Sequence, residues 1–346
     1  MSNGPVRILF VGFLLIGVAS CNSCNPFTNK PNVSGIDVSL TVLRLEQDYN
    51  GLARNYDSTF NAMSQRYGDF LPFYLKMVAQ VVSPRDTAIQ PDTFVNYVND
   101  PYITMLRDTA FKKFNDFNPF QEDLTKAFRY FKYYFPDSVL PTVVTFVDGP
   151  PYGFTYAYSP TEKYLAIGLD GYFGSRFPAY TLRPEPIPAY LLRRFRPEYL
   201  VPNTVNAWVS GLTDFEMQGH KLLDAMVYKG KSLYLAKKLL PDTPDSLIFG
   251  YDKASLEWLD ANEHEVWRFF ITNNLLFEND PLVFSKYVND APGTSGMPAE
   301  APGNIGSWVG YRIVNAYMKR NEKLPLEALL KDPDAQGILT QSRYKP

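Results

Sequence analysis

The sequence predicts an α+β fold, predominantly helical with a small antiparallel sheet, on three observations. Apolar and aromatic side chains recur every three or four positions through most of the chain, the spacing of one buried helix face. From Pro141 the period changes to short β-branched and aromatic runs separated by turn residues, the mark of strands. Hydrophobic residues make up 45% of the 346 positions and charged residues 20%, enough apolar material for a real core and too ordinary a balance for a disordered chain.

The first segment reads as an address. Arg7 is the only charge before the apolar run 8–19, which is too short for a comfortable bilayer span and has the length of a secretory h-region. The run ends in Val18-Ala19-Ser20-Cys21, two small residues before a cysteine, and this resembles a bacterial lipobox. Lipidation of Cys21 would anchor the mature protein, since each buried acyl CH₂ adds ~0.8 kcal/mol and more than one acyl group holds stably. Two other readings stay open: an ordinary signal peptide followed by an unmodified Cys21, or an uncleaved anchor helix. All three export the protein. The only other cysteine, Cys24, lies three residues away, so no disulfide framework staples the exported body and stability must come from the core.

Residues 21–35 are polar and broken by Pro26 and Pro31, which makes them a tether. Ile36, Val38, Leu40 and Val42 then alternate with Asp37, Ser39 and Thr41, the period of a half-buried strand. Helical spacing follows in Leu45, Tyr49, Leu52 and Tyr56, in Phe94, Tyr97 and Val98, in Tyr102, Met105 and Leu106, and most densely in Leu124, Phe128, Phe131 and Phe135 before Pro136. The runs 143–147, 154–158 and 164–169 supply the predicted antiparallel sheet. Beyond a proline-rich stretch, helices are expected at 203–213, 215–240, 253–277, 281–289, 307–321 and 325–331, with a Gly/Pro loop at 291–306. The organisation expected is a signal peptide over 1–20, the tether over 21–35, one α+β domain over 36–338 and a tail over 339–346.

Several function classes are disfavoured. Thirty-four Lys and Arg against 36 Asp and Glu leave no electrostatic footprint for nucleic acid. His220 and His264 are the only histidines, 44 positions apart, so a mechanism needing two imidazoles has little to work with. His264-Glu265-Val266-Trp267-Arg268 begins like a zinc-peptidase helix and then puts a cation where the second ligand belongs; the plainer reading is a polar helix face beside Trp258 and Trp267. His220 and Asp224 stand four apart as a mixed pair, with Lys221 no base for a metal-bound water. No Gly-x-Ser-x-Gly elbow announces a nucleophile. The segment 303–311 is Gly-rich before a helix but lacks phosphate-loop spacing; Gly303 is expected to shape the turn, Ser307 or Asn304 to cap the helix, and Gly310 to let another helix backbone approach.

Segments spread over about 150 residues carry a family resemblance: Ile167-Gly168-Leu169-Asp170-Gly171-Tyr172-Phe173-Gly174 with Pro178-Ala179-Tyr180, then Arg196-Pro197-Glu198-Tyr199, the helix 222–234, Leu240-Pro241-Asp242, Gly250-Tyr251, Trp258 with Asn262-Glu263, and 302–318. In this order they resemble the gliding-motility lipoprotein family GldB of Bacteroidetes. The resemblance implies a lipobox followed by a domain distantly similar to zinc metallopeptidases of the peptidase MA type. Active relatives of that group carry a Glu-Gly pair whose carboxylate is a zinc ligand; the corresponding pair here looks like Lys229-Gly230, and the preceding helix holds no His. The implication is a metallopeptidase-like scaffold lacking the His-Glu-x-x-His site, with no cofactor, no metal ligand and no catalytic residue.

The same resemblance implies a membrane-anchored lipoprotein of the cell envelope, facing the periplasm. It would support gliding motility as a non-catalytic binding or assembly component alongside other gliding or type IX secretion proteins. Asp170, Tyr228, Lys229, Gly230, Trp308 and Gly310 are the candidate cleft and partner-binding residues, and Cys21 the lipidation site. The alternative is a cell-envelope hydrolase or a zinc peptidase with a non-standard site.

Overall fold

The run 143–147 is apolar at every position but Thr145 and does not alternate, and its place in the fold explains why. The structure, a computed structural model, describes residues 30–82, 90–149, 155–158 (backbone only), 164–182, 186–212 and 215–346. Cys21 lies outside them. Strands β1 (Val42–Arg44), β2 (Thr142–Phe146), β3 (Thr155–Tyr158) and β4 (Tyr164–Gly168) form one sheet in the order β1-β2-β4-β3. In β2 and β4, successive side chains enter two different cores: Val143, Leu165 and Ile167 face a larger one, Val144, Phe146 and Ala166 a smaller one. A strand covered on both faces has no polar side to alternate with.

The sheet corrects the antiparallel expectation. β1 pairs with β2 in parallel, Val42 opposite Val143, and β2 pairs with β4 in parallel, Val143 opposite Leu165. Only β3 runs antiparallel, against β4 with Thr155 opposite Ile167. Reading consecutive short runs as neighbouring hairpin strands is right for β3 and β4 and fails for β2, because β4 inserts between them. Two strands separated in sequence by one reversed strand must then point the same way. The alternating segment 36–42 behaves in a related manner. Val38 and Leu40 are buried while Asp37, Ser39 and Thr41 are exposed, yet ladder pairing begins only at Val42.

Helices α1 (Leu45–Asp48), α2 (Tyr56–Tyr67), α3 (Phe70–Phe73) and α4 (Pro91–Asn99) cover the smaller core, and α5 (Pro101–Phe114) and α6 (Asn118–Tyr134) join the larger one. The start of α5 is written locally. Asp100 accepts hydrogen bonds from the backbone of Tyr102 (2.8 Å) and Ile103 (3.3 Å), and Pro101 fills the first helical position. Tyr102 and Met105, expected on its packed face, are 40% and 39% exposed. A buried Arg44–Glu46–Thr145 cluster ties β1, α1 and β2 together: Arg44 Nε donates to Glu46 Oε1 (2.6 Å) and Thr145 Oγ1 to Glu46 Oε2 (2.8 Å).

The C-terminal half follows as α7 (Ala189–Leu192), α8 (Leu200–Ser210), α9 (Leu222–Leu239), α10 (Asp245–Phe249), α11 (Lys253–Ala261), α12 (Glu263–Thr272), α13 (Pro281–Val288), α14 (Ile305–Arg320), α15 (Leu326–Lys331) and α16 (Ala335–Ser342). The helix expected over 253–277 is broken at Asn262, whose side chain donates to Trp258 O (2.8 Å) and ends α11. Part of the stretch assigned to a tail is helical: α16 runs through position 338 to Ser342, and Ser342 and Tyr344 are buried. Among the described residues α9 is the hub, packed most extensively on α14 and also on α8, α13, α16 and α6.

Candidate functional site

The helix α8 carries polar residues at Asn203, Asn206 and Ser210, spaced i, i+3, i+7 on an otherwise apolar segment. That stripe faces a cavity of about 190 Å³. Lys229, Ser232 and Leu233 of α9 line it, as do residues 248–251 at the end of α10 and just beyond it, Ser307 and Trp308 of α14, and Asn304 just before them; Arg194 and Asp290 complete the wall. Six stretches of the chain between Arg194 and Trp308 therefore meet at one place.

The wall is held by a polar frame. Arg194 grips Asp290 through two N–H groups at 2.9 and 2.5 Å, and Asn304 Nδ2 donates to the same carboxylate at 3.4 Å. Arg193 and Arg194 both donate to Gly250 O, the former at 2.7 Å through Nη2. Gly250 has φ +70°, and a Cβ there would meet Arg194 Nε at 2.6 Å, so glycine is required twice over. Tyr251 Oη donates to the carbonyls of Gly303 (3.2 Å) and Asn304 (2.8 Å), fixing the loop that precedes α14.

Lys229 is half-buried, and burial pulls its ammonium below the usual lysine range, with the Asp290 charge opposing. Among the described residues it makes no hydrogen bond and no ion pair, although an unpaired buried charge is costly. Trp308 shares the cavity with it, buried, with the Arg312 guanidinium 5.3 Å from its ring.

Gly230 and Gly310 stand at the contact of α9 with α14. A Cβ on Gly310 would lie 1.8 Å from Met226 O, and one on Gly230 would lie 2.3 Å from Gly310 C and O. The close approach expected of Gly310 is the geometry found. The capping expectation is corrected: Asn304 is the N-cap residue of α14 but sits in the left-handed region (φ 61°) with no capping bond from its side chain, and Ser307 Oγ points to Val288 O at 3.4 Å. Gly303 is demanded by contact, since a Cβ there would meet Ala291 O at 2.2 Å. Tyr228 lies beside the cavity, its hydroxyl donating to Ser210 O (2.8 Å) and its ring stacked on Phe215 at 4.5 Å.

Asp170 is placed elsewhere. It follows β4 in a 3₁₀ turn and accepts from Gly149 N at 3.0 Å, while Asp148 follows β2 and accepts from Tyr97 Oη at 2.7 Å. Burial pushes the Asp170 carboxyl up to about 7, helped by the neighbouring Asp148 charge and opposed by backbone N–H groups; burial pushes Asp148 up to about 6. A phenol relay reaches this pair from the smaller core, Tyr49 Oη to Tyr74 Oη (2.9 Å) and Tyr74 Oη to Tyr97 Oη (3.1 Å).

The two histidines fall on surfaces. His264 is exposed beside Glu265 on α12, where Arg268 pairs with that glutamate. His220 Nδ1 is 3.6 Å from Asp224 Oδ2, an oxygen that also accepts from Lys221 N (2.8 Å) at the start of α9. Among the described residues no group of three or more His, Cys, Asp and Glu side chains could hold a metal ion, and no helix is long and apolar enough to cross a membrane.

Arg194, Asn203, Asn206, Asp290, Asn304 and Asp148 are the site residues that sequence reasoning missed; only the stripe on α8 was visible as a local pattern. Neither a curated protein nor a solved structure matches the chain significantly. The family model GldB_lipo, described as gliding motility protein GldB, matches residues 27–346. With nearly the whole body covered, the chain belongs to the GldB family of gliding-motility lipoproteins.

Proposed function

We propose that this protein is a non-catalytic binding and assembly component of the gliding machinery, and that its cleft at Lys229 is a recognition site. In this reading lipid on Cys21 holds it to a bacterial membrane with the body facing the periplasm. Its partners are other gliding or type IX secretion proteins of the envelope, and its scaffold is a peptidase-like one whose cleft binds without cutting. The observation that carries the reading is the unpartnered Lys229 ammonium in a cavity wall where every other charged group is paired. A fold gains nothing from a partly desolvated cation with no protein partner, and places where a protein departs from the rules of stable packing are where function is expected.

The test is motility. Cells carrying Lys229→Ala should stop gliding while the protein keeps wild-type abundance and melting temperature, because the substitution removes a desolvated charge and no hydrogen bond. Normal gliding in that strain would place the working surface elsewhere. The anchor has its own test: Cys21→Ser should abolish acyl labelling and release or mislocalise a protein that melts normally. Labelling that persists in the variant would refute lipidation at Cys21.

A further inference from the structure

The chemistry of the cavity deepens that reading and rests on it. Donors outnumber acceptors there. Lys229 Nζ has no partner, and the Asn203 side chain across from it on α8 makes no hydrogen bond among the described residues. The Trp308 indole N–H, which buried tryptophans nearly always commit, makes none either. The one carboxylate in the wall, Asp290, already takes both prongs of Arg194 and the amide of Asn304. Two cations, Arg194 and Lys229, against that one anion leave a surplus of one positive charge.

We propose that the Lys229 cavity binds a single carboxylate presented by a polypeptide, either its C-terminal group or an acidic side chain. A monoanion balances the surplus charge. A phosphoryl group fits less well, because the arginine fork that would grip it bidentately is spent on Asp290, whose own charge repels a dianion. The space of about 190 Å³ admits the end of one residue with its waters. Asn304 Oδ1, an acceptor of a lining residue buried without a partner, would be satisfied by an N–H, which a polypeptide carries and a free anion does not.

The experiment titrates the full-length protein in detergent with four probes and follows its melting temperature. N-acetylglycine presents a terminal carboxylate, N-acetylglutamate α-amide the carboxylate of an acidic side chain, N-acetylglycinamide no charge, and inorganic phosphate a different anion. One or both carboxylates should raise the melting temperature, by about 2 °C at ten times Kd and with the logarithm of concentration beyond it, and the better of the two identifies the source. The neutral amide should do nothing, and Lys229→Met should erase the response. An equal response to the amide, a stronger one to phosphate, a response surviving in Lys229→Met, or no rise would each overturn the carboxylate assignment. Failure here with gliding lost in Lys229→Ala leaves the recognition role standing, whereas carboxylate binding with normal gliding in that strain removes the role and keeps the site.

Discussion

Gly310→Ala should cost at least about 3 kcal/mol of stability, the upper end of what overpacking commonly costs and a large part of a typical total of ~5–15 kcal/mol. The added Cβ would lie 1.8 Å from the carbonyl oxygen of Met226 and 2.5 Å from its carbon. Both are backbone atoms inside α9, so no rotamer change relieves the clash and one helix must move. α9 is packed on α14, α8, α16, α13, α6, α10 and α15, and α14 is buried along nearly its whole length. Displacement therefore propagates into the core instead of stopping at the surface. Gly310→Leu should be worse, and Gly230→Ala comparably harmful, since its Cβ would meet the Gly310 carbonyl at 2.3 Å. The control is Gly35→Ala, where nothing lies within 4 Å of the new atom. Urea unfolding should show a sharply lower midpoint for position 310 and an unchanged one for position 35. Because the same contact sets Lys229 and Trp308 in one cavity, gliding should be lost along with stability. An alanine at 310 with wild-type unfolding would mean that the two helices do not touch backbone to backbone.

That contact was legible in the sequence, and the cavity beside it was not. Gly310 stands among Trp308, Val309, Tyr311 and Ile313, so a missing side chain there already implied a close neighbour. Helix positions were readable for a similar reason: Leu124, Phe128 and Phe131 repeat at the helical period, and all three are buried in α6. Burial was legible even where strand pairing was not, as the segment before Val42 shows. Strand direction was hidden because it depends on which strand inserts where, and no local residue pattern records that β4 separates β2 from β3. The non-alternating, mostly apolar run 143–147 was the available signal, since burial on both faces goes with parallel pairing. The cavity frame was hidden more deeply. Arg194, Gly250 and Asp290 stand tens of residues apart, and each is unremarkable in its own segment; only folding makes Asp290 the partner of Arg194 and leaves Lys229 without one. Asp170 was singled out with Lys229 but belongs to a second place, at the carboxyl ends of β2 and β4, for which Asp148 was the unseen half.

At that second place Asp170→Asn should stabilise the protein at neutral pH and leave it unchanged in acid. Both carboxyls titrate higher in the folded protein than the ~3.9 of an unfolded one, Asp148 at about 6 and Asp170 at about 7, with burial as the main cause. The folded state therefore binds protons more tightly than the unfolded state between roughly pH 4 and pH 7. The pair's contribution to stability is full below pH 4 and is lost as pH rises through 6 and then 7, the reverse of an ordinary salt-bridged carboxylate. An asparagine copies the protonated carboxyl in shape and keeps an oxygen to accept from Gly149 N, but has no proton to lose. The stability difference between variant and wild type should thus be near zero at pH 4 and grow to about 3 kcal/mol, to order of magnitude, by pH 8. Asp148→Asn should show the same trend from a lower pH and with a smaller amplitude. The double variant should gain less than the sum, because the Asp148 charge is one of the causes that raise Asp170, so removing it lets Asp170 ionise more easily. Urea midpoints measured from pH 4 to pH 8 decide the matter: a difference between Asp170→Asn and wild type that stays flat with pH would mean that the Asp170 carboxyl is solvated and ionised throughout.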